Sequence, residues 1–427
     1  MRVVEHPGLL ETSIVFVVLF MAQFGTPVNW TTPFVQLGQN QRGNPLLVYG
    51  SLALVGALLP TLVGRGDAVV LALHRSPALW MLIGMISLSF VWSEQPTTSV
   101  VKIVSFVVLC LFALILAVRF DVRDLLAVLA AVLAVGTVMN LVWVIGLPSW
   151  GQSSVGWTGI AVGKNDLGND ASISMLVFIV ASREFLRWRF LFYSLSAIAL
   201  ALLLGSQSKT SLAAGMLTFC CFIVFRVFRA RRTLFGAVVV AVIVSSVLAV
   251  LFATANLFLL TTYLDKDITL SGRTELWAWI LDDIANRPVL GYGFGGYWNG
   301  YFSPSHDVIV VNSWGINHAH NAFFEIALSV GLVGLGFFTV VLVRSFGRAI
   351  RHVPRNPTPA GLFPLVYLTF ALMVSITESG VFNNRSGWIV FMYLALVLRP
   401  SGEATRRPGG AEWLDLRPSL GLESVDS

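Results

Sequence analysis

Charge is scarce in this 427-residue chain: Asp, Glu, Lys and Arg make up 12% of it and hydrophobic residues 56%, against about 25% charged in an average soluble domain. From Leu125 to Gly163, and again from Thr233 to Leu264, more than thirty residues pass without an ionised side chain. Neither stretch can build a water-facing surface. A soluble enzyme and a disordered chain are excluded, as is a nucleic-acid binder despite the sequence pI near 9.5. Cysteine is nearly absent too. Cys110, Cys220 and Cys221 lie inside apolar segments without ligand-like spacing, so neither a disulfide framework nor a structural zinc is expected. No repeat of about 20–50 residues and no inverted duplication of the transporter kind is visible. No A-x-A cleavage site follows the first apolar run, which reads as an uncleaved span.

What the chain has is apolar length, enough for roughly twelve crossings of ~20 residues each. Candidate spans lie near 9–25, 45–64, 77–92, 98–118, 124–146, 167–182, 189–205, 210–228, 233–257, 319–343, 361–378 and 386–398. The expected fold class is an all-α polytopic membrane protein. With the N-terminus inside, 20 of the 28 basic residues fall in inward loops and tails, which fixes the orientation by the positive-inside bias. Residues 1–398 read as one transmembrane domain, carrying one large outward loop with short helices over 258–318. Residues 399–427, rich in Gly, Pro, Ser and charge, read as a flexible cytoplasmic tail. Both termini are then expected on the inner, cytoplasmic side of the membrane. The loop holds Trp277, Trp279, Trp298, Trp314, Tyr292, Tyr297 and Tyr301, aromatics that need something to pack against.

Eight basic residues lie outward against the insertion bias, and each invites a local reason: Arg42, Lys102, Lys164, Lys209, Lys266, Arg273, Arg287 and Arg385. Ser271 to Glu275 leads into Leu276, Trp277, Ile280, Leu281 and Ile284 before Pro288, an amphipathic helix capped at Ser271. Arg273 in its first turn suits a bound anion; the plainer alternative is a solvated arginine paired with Asp265 or Asp267. Lys164-Asn165 and the turn Ser206 to Thr210, with Lys209, are hydroxyl- and amide-rich settings that suit a phosphate, unless the lysines only snorkel. Gly291, Gly293 and Gly296 match the dinucleotide pattern G-x-G-x-x-G, but no βαβ unit surrounds them. A tight turn admitting a close backbone approach is the better account. His318 and His320, with Asn317 and Asn321, flank the tenth span. They read either as a cap or as a general base, for which histidine is suited near neutral pH. Partners for a metal are absent nearby along the chain.

Taken in order, Trp92-Ser93 with Pro96 and Ser99, Lys164-Asn165 with Leu167-Gly168, Ser206 to Ser211, Gly272-Arg273 with Leu276-Trp277, Pro288 with Gly291 and Gly293, and His320-Asn321 before Gly331 and Gly334 resemble the bacterial O-antigen ligase and polysaccharide polymerase superfamily. The likeness is strongest to its exopolysaccharide polymerase, ExoQ-like, branch and covers roughly Trp92 to Gly334. It implies a membrane glycosyltransferase in the bacterial inner (cytoplasmic) membrane, acting at its outer, periplasmic face. The donor would be an undecaprenyl-pyrophosphate-linked oligosaccharide, with no cofactor and no essential metal. Partners would be membrane lipid, chain-length regulators and export proteins. The family's loop arginine falls on Arg273 and its His-Asn histidine on His320. Lys209 stands where O-antigen ligases usually have arginine, and Gly163-Lys164-Asn165 where many relatives have His-Lys-Asn. The expected roles are His320 as base and Arg273 as catalytic cation, with Lys209, Lys164, Asn165, His318, Asn321, Arg287 and Arg385 around the pyrophosphate and glycan. Transfer of finished polymer to lipid A-core and simple flipping of a lipid-linked glycan are the competing readings.

Overall fold

The computed structural model describes residues 7–25, 45–231, 234–248, 271–299, 303–311, 316–379 and 385–398. Among the described residues each of the twelve apolar segments meets a helix: α1 (Leu9–Phe24), α2 (Pro45–Leu58), α4 (Pro77–Leu88), α5 (Pro96–Arg119), α6 (Val122–Gly146), α7 (Lys164–Glu184), α8 (Arg189–Gly205), α9 (Lys209–Phe228), α10 (Leu234–Leu248, the segment's remainder to 257 lying outside the described residues), α12 (Ala322–His352), α13 (Pro359–Thr377) and α14 (Arg385–Val397). Further helices include α3 (Gly66–Arg75), bent 111° from the segment that ends at Leu62, and α11 (Ser271–Asn286) in the long loop before α12. The protein is an all-α polytopic membrane protein. Among the described residues six helices are long and apolar enough to cross a bilayer alone: α5, α6, α8 with the turn before it, α9, α12 and α13. α7 falls short on hydropathy because Lys164, Asp166 and Asp170 stand in its first two turns. It is instead an interior helix, packed on α6, α8, α9 and α13. The expected flexible tail lies outside the described residues.

Helix starts follow from local chemistry. Proline opens α4, α5 and α13, where its missing N–H costs nothing. Asp121, Ser208 and Thr358 cap α6, α9 and α13 by accepting the N–H groups of Asp124, Ser211 and Gly361. At one end of the bundle Arg119 pairs with Glu11 at 2.6 Å and Arg123 with Glu184 at 2.8 Å. There too the buried Arg348 donates to the carbonyls of Ala395 and Arg75. All four arginines belong to the set expected inward. Most of the described outward residues lie at the other end.

α12 is broken at Val330 and Gly331, and Gly331 takes a left-handed φ of 67°. The turn after α11 plugs into this break: Tyr292 N–H donates to Leu328 O and Leu332 N–H to Pro288 O, both at 2.7 Å. A Cβ on Gly331 would lie 2.0 Å from the Val289 carbonyl oxygen. The glycine run also packs on the short α4–α5 connection, with Gly293 and Gly296 against Ser93. The tight-turn reading of Gly291 to Gly296 therefore holds, and its close approach is to neighbouring helices.

Candidate active site

α11 runs over the predicted interval, with Leu276, Ile280 and Ile284 buried in a second core that also holds Tyr292, Tyr297, Trp298 and Ala319. This core fixes the axis of α11, and so places Arg273 in its first turn beside the end of α13. The His318–His320 segment is gripped from both sides. Trp277 Nε1 donates to Ala319 O at 3.0 Å, while Glu325 accepts the Ala319 N–H at 2.9 Å and Trp298 Nε1 at 3.2 Å. Asn321 caps α12, its Oδ1 accepting from Phe323 and Phe324 N–H, and its Nδ2 donates to Ile376 O at 3.2 Å. Capping thus belongs to Asn321, and His320 stands outside the helix with a φ of 48°. For a non-glycine residue that is a strained conformation of the sort found at functional sites.

Glu378, the residue that ends α13, organises the cluster. Its Oε2 lies 2.7 Å from His320 Nδ1 and its Oε1 2.7 Å from Arg273 Nη2. Arg273 also donates to Thr377 O, and Asn165 Nδ2 donates to Glu378 Oε1 at 3.2 Å. Asn165 in turn accepts the Ser208 hydroxyl at 2.9 Å, and Ser208 shares a 2.8 Å hydrogen bond with Ser211. One polar network therefore joins α7, α9, α11, α13 and the segment before α12. Gly168 makes the α7–α9 approach possible, since a Cβ there would sit 2.8 Å from Ser211.

Of the residues expected from sequence, Arg273, His320, His318, Asn321 and Asn165 come together. His318 and His320 have ring centroids 3.9 Å apart, which the start of α12 at Ala322 allows, because the pair precedes the helix. Lys209 is exposed and one residue from the network at Ser208, but among the described residues it makes no hydrogen bond to it. Lys164 donates to Val155 O at 3.3 Å, away from Glu378. Arg287 pairs with Glu94 and stacks over Tyr292, also outside the network. Arg385 opens α14, and its side chain lies outside the described set, as do Asp265 and Asp267, the acids expected for Arg273. Glu378 is the residue sequence reasoning missed. The one available signal was an acid closing an otherwise apolar span.

Burial alone would raise the Glu378 carboxyl, but the His320 hydrogen bond and the charge of Arg273 hold it below the ordinary value. Burial, together with the neighbouring His320 and Arg273, depresses His318 to about 4. His318, His320 and Glu378 each offer a donor atom within 4.8 Å of the others, so the missing third ligand along the chain is supplied in space. The donor set suits a metal poorly. Arg273 already occupies Glu378 with a positive charge, and His318 Nδ1 takes the N–H of His320 at 3.2 Å.

Residues 194–339 match the sequence profile described as "O-Antigen ligase". That stretch contains Lys209, Arg273, Arg287, His318, His320 and Asn321, whereas Asn165 and Glu378 lie outside it. The chain is also similar to "Exopolysaccharide production protein ExoQ" of Rhizobium meliloti (strain 1021), with 28% identity over 297 residues that cover 65% of this chain and 67% of that relative. The resemblance to the O-antigen ligase and polysaccharide polymerase superfamily, and within it to the ExoQ-like branch, rests on both.

Proposed function

From that kinship we propose that this protein is a membrane glycosyltransferase that joins undecaprenyl-pyrophosphate-linked glycan units in exopolysaccharide production. It works from the periplasmic face of the inner membrane with both termini cytoplasmic. An acceptor hydroxyl attacks the anomeric carbon of the donor, the C–O bond to lipid pyrophosphate breaks, and the anomeric configuration inverts. The observation that carries the reading is the 2.7 Å contact between His320 Nδ1 and Glu378 Oε2, with Arg273 on the second carboxylate oxygen. A carboxylate on Nδ1 fixes the tautomer and stabilises the imidazolium, so the acceptor proton goes to Nε2. Pyrophosphate is a competent leaving group. The remaining task is charge stabilisation at the network's outer rim, where the exposed Lys209 is one residue from Ser208 and Lys164 begins α7. Mechanism through a metal is not part of this reading, given the charge of Arg273 against Glu378.

The test is turnover of a synthetic lipid-pyrophosphate donor by purified protein, with the anomer of the product read by NMR. Inversion, undiminished after chelation, is the expected result; retention or loss on chelation defeats the mechanism. The family description favours a second reading, transfer of finished polymer to an acceptor lipid. Deletion cells separate the two, because loss of a polymerase leaves single lipid-linked repeat units and loss of a ligase leaves lipid-linked polymer. Loss of a flippase would also leave single lipid-linked repeat units, but on the cytoplasmic leaflet, where an impermeant reagent cannot reach them.

A further inference from the structure

At the end of the bundle away from His320, a cleft of about 550 Å³ opens between α7, α8 and α9, a size ordinary for ligand sites. Arg183, Arg226 and Tyr193 stand at its walls with Ile179, Phe219 and Ile223. The lining is graded along the membrane normal. Both α7, with Asn165 in its first turn, and α9, capped by Ser208, begin at the site and run away from it. Ile179 is one turn deeper than Arg183, and Phe219 precedes Arg226 by two turns, roughly 10 Å. Apolar walls therefore lead, toward the bundle end away from His320, to a mouth carrying two guanidinium groups.

Among the described residues neither arginine has a carboxylate partner. Glu184, next to Arg183 in sequence, is taken by Arg123 and by the Ala360 N–H. The Nε of Arg183 is buried without a hydrogen-bond partner among the described residues. A buried donor on a charged group calls for an acceptor, and paired guanidinium groups are suited to phosphate.

We propose that this cleft binds one anionic glycerophospholipid of the leaflet at that end, its phosphate between Arg183 and Arg226 and an acyl chain along Phe219, Ile223 and Ile179. Basic pockets between membrane helices recognise such headgroups. The graded lining separates a lipid from a soluble anion, which has no use for the apolar walls. The distance from the site separates it from the donor, because α7 spans about 30 Å between the two ends. The bound lipid would brace the helix pair whose other ends carry Asn165 and Ser208.

The test is native mass spectrometry of the full-length protein in neutral detergent, with phosphatidylglycerol and phosphatidylcholine of identical chains. A preference of about tenfold or more for phosphatidylglycerol is expected, since each basic side chain at an anionic lipid contributes roughly fivefold. Arg183→Gln with Arg226→Gln should bring the preference to parity. The single change Arg226→Gln, at an exposed position, should lower it without disturbing the fold, and Arg226→Lys should keep most of it. Arg187→Gln with Arg189→Gln, which alters neighbouring arginines outside the cleft, should leave it intact. Equal retention of both lipids by the unaltered protein would overturn the proposal, as would an unchanged preference in the cleft variants or an equal loss in the Arg187 and Arg189 pair. Displacement of the lipid by an equal concentration of inorganic phosphate, or a stronger preference for undecaprenyl phosphate, would also overturn it.

Discussion

His320 and His318 lie against each other, yet their surroundings give them different work. His320 shares its Nδ1 with Glu378, while His318 is depressed to about 4 and stays neutral near pH 7. His320→Ala should therefore cost about 10² to 10⁴ in turnover, the usual value of a general base, and His318→Ala much less. Near-full turnover by His320→Ala across pH 6 to 8, measured with the synthetic donor, would reduce the histidine to a structural element. Glu378→Gln removes the anion but keeps the shape, and should lose about 10²-fold or more by the same assay. Arg273 and Glu378 form a largely buried pair with side-chain exposures of 11% and 10%. Arg273→Ala should thus lower thermal stability as well as activity, and the double change with Glu378→Gln should fall short of the sum of the singles. Equal additive losses in a double-mutant cycle would mean the two act separately. Acid should loosen the same cluster. As pH falls from the ordinary histidine value of 6.5 toward 4, the unfolded chain takes up a proton that folded His318 resists, so stability declines over that window. Glu378 acts in the same direction at lower pH: its depressed carboxyl contributes above the ordinary 4.5, and that contribution is lost as pH falls through its folded value. Unfolding midpoints of His318→Gln should be flatter than those of the unaltered protein between pH 6.5 and 4.

At the scale of elements, the site depends on a break in one helix. α12 stops at Val330 and Gly331, and the carbonyl and N–H groups released there are taken by Pro288 and Tyr292 of the turn after α11. That exchange leaves none of those four backbone groups unpaired inside a membrane protein, where an unsatisfied one costs several kcal/mol. It also sets where α11 presents Arg273. Gly331→Val should cost about 1–3 kcal/mol for the left-handed backbone alone, with a further clash against Val289. Because the damage reaches α11, activity should fall together with the thermal midpoint. A variant with a normal midpoint and normal turnover would show that the docked turn does not position the arginine. Much of this was legible in the sequence. The i, i+4 recurrence from Leu276 to Ile284 and the stop at Pro288 mark α11, and the clustered glycines mark a tight turn. The kink itself was not, since Gly331 in an apolar run looks like any small residue in a span until its partner loop is in place.

Across the whole molecule, hydropathy located every described span, because lipid admits little besides a helix whose backbone satisfies itself. It could not foresee α3, whose charged, amphipathic composition resembles a loop. It could not foresee the cluster's acid either, as Glu378 joins Arg273 and His320 only through the packing of α13 into the bundle, where that helix is almost wholly buried. Linear spacing holds no trace of a contact between residues this far apart. The positive-inside pattern, by contrast, has a three-dimensional counterpart. Arg75, Arg119, Arg123 and Arg348, all expected inward, share one end with Glu11 and Glu184, and the His320 cluster with Lys164 and Lys209 occupies the other. The alternation of spans is therefore consistent with the packing, and only the absolute direction rests on the charge bias. Cysteines introduced at Arg229 and at Glu275 should decide it in intact cells treated with an impermeant thiol reagent, with the endogenous Cys110, Cys220 and Cys221 changed to serine. Labelling at Glu275 and none at Arg229 is expected, the second site reacting only after permeabilisation. The reverse pattern would put the His320 cluster in the cytoplasm, where an outward-facing lipid-linked donor could not reach it, and the proposed reaction would fall with the topology.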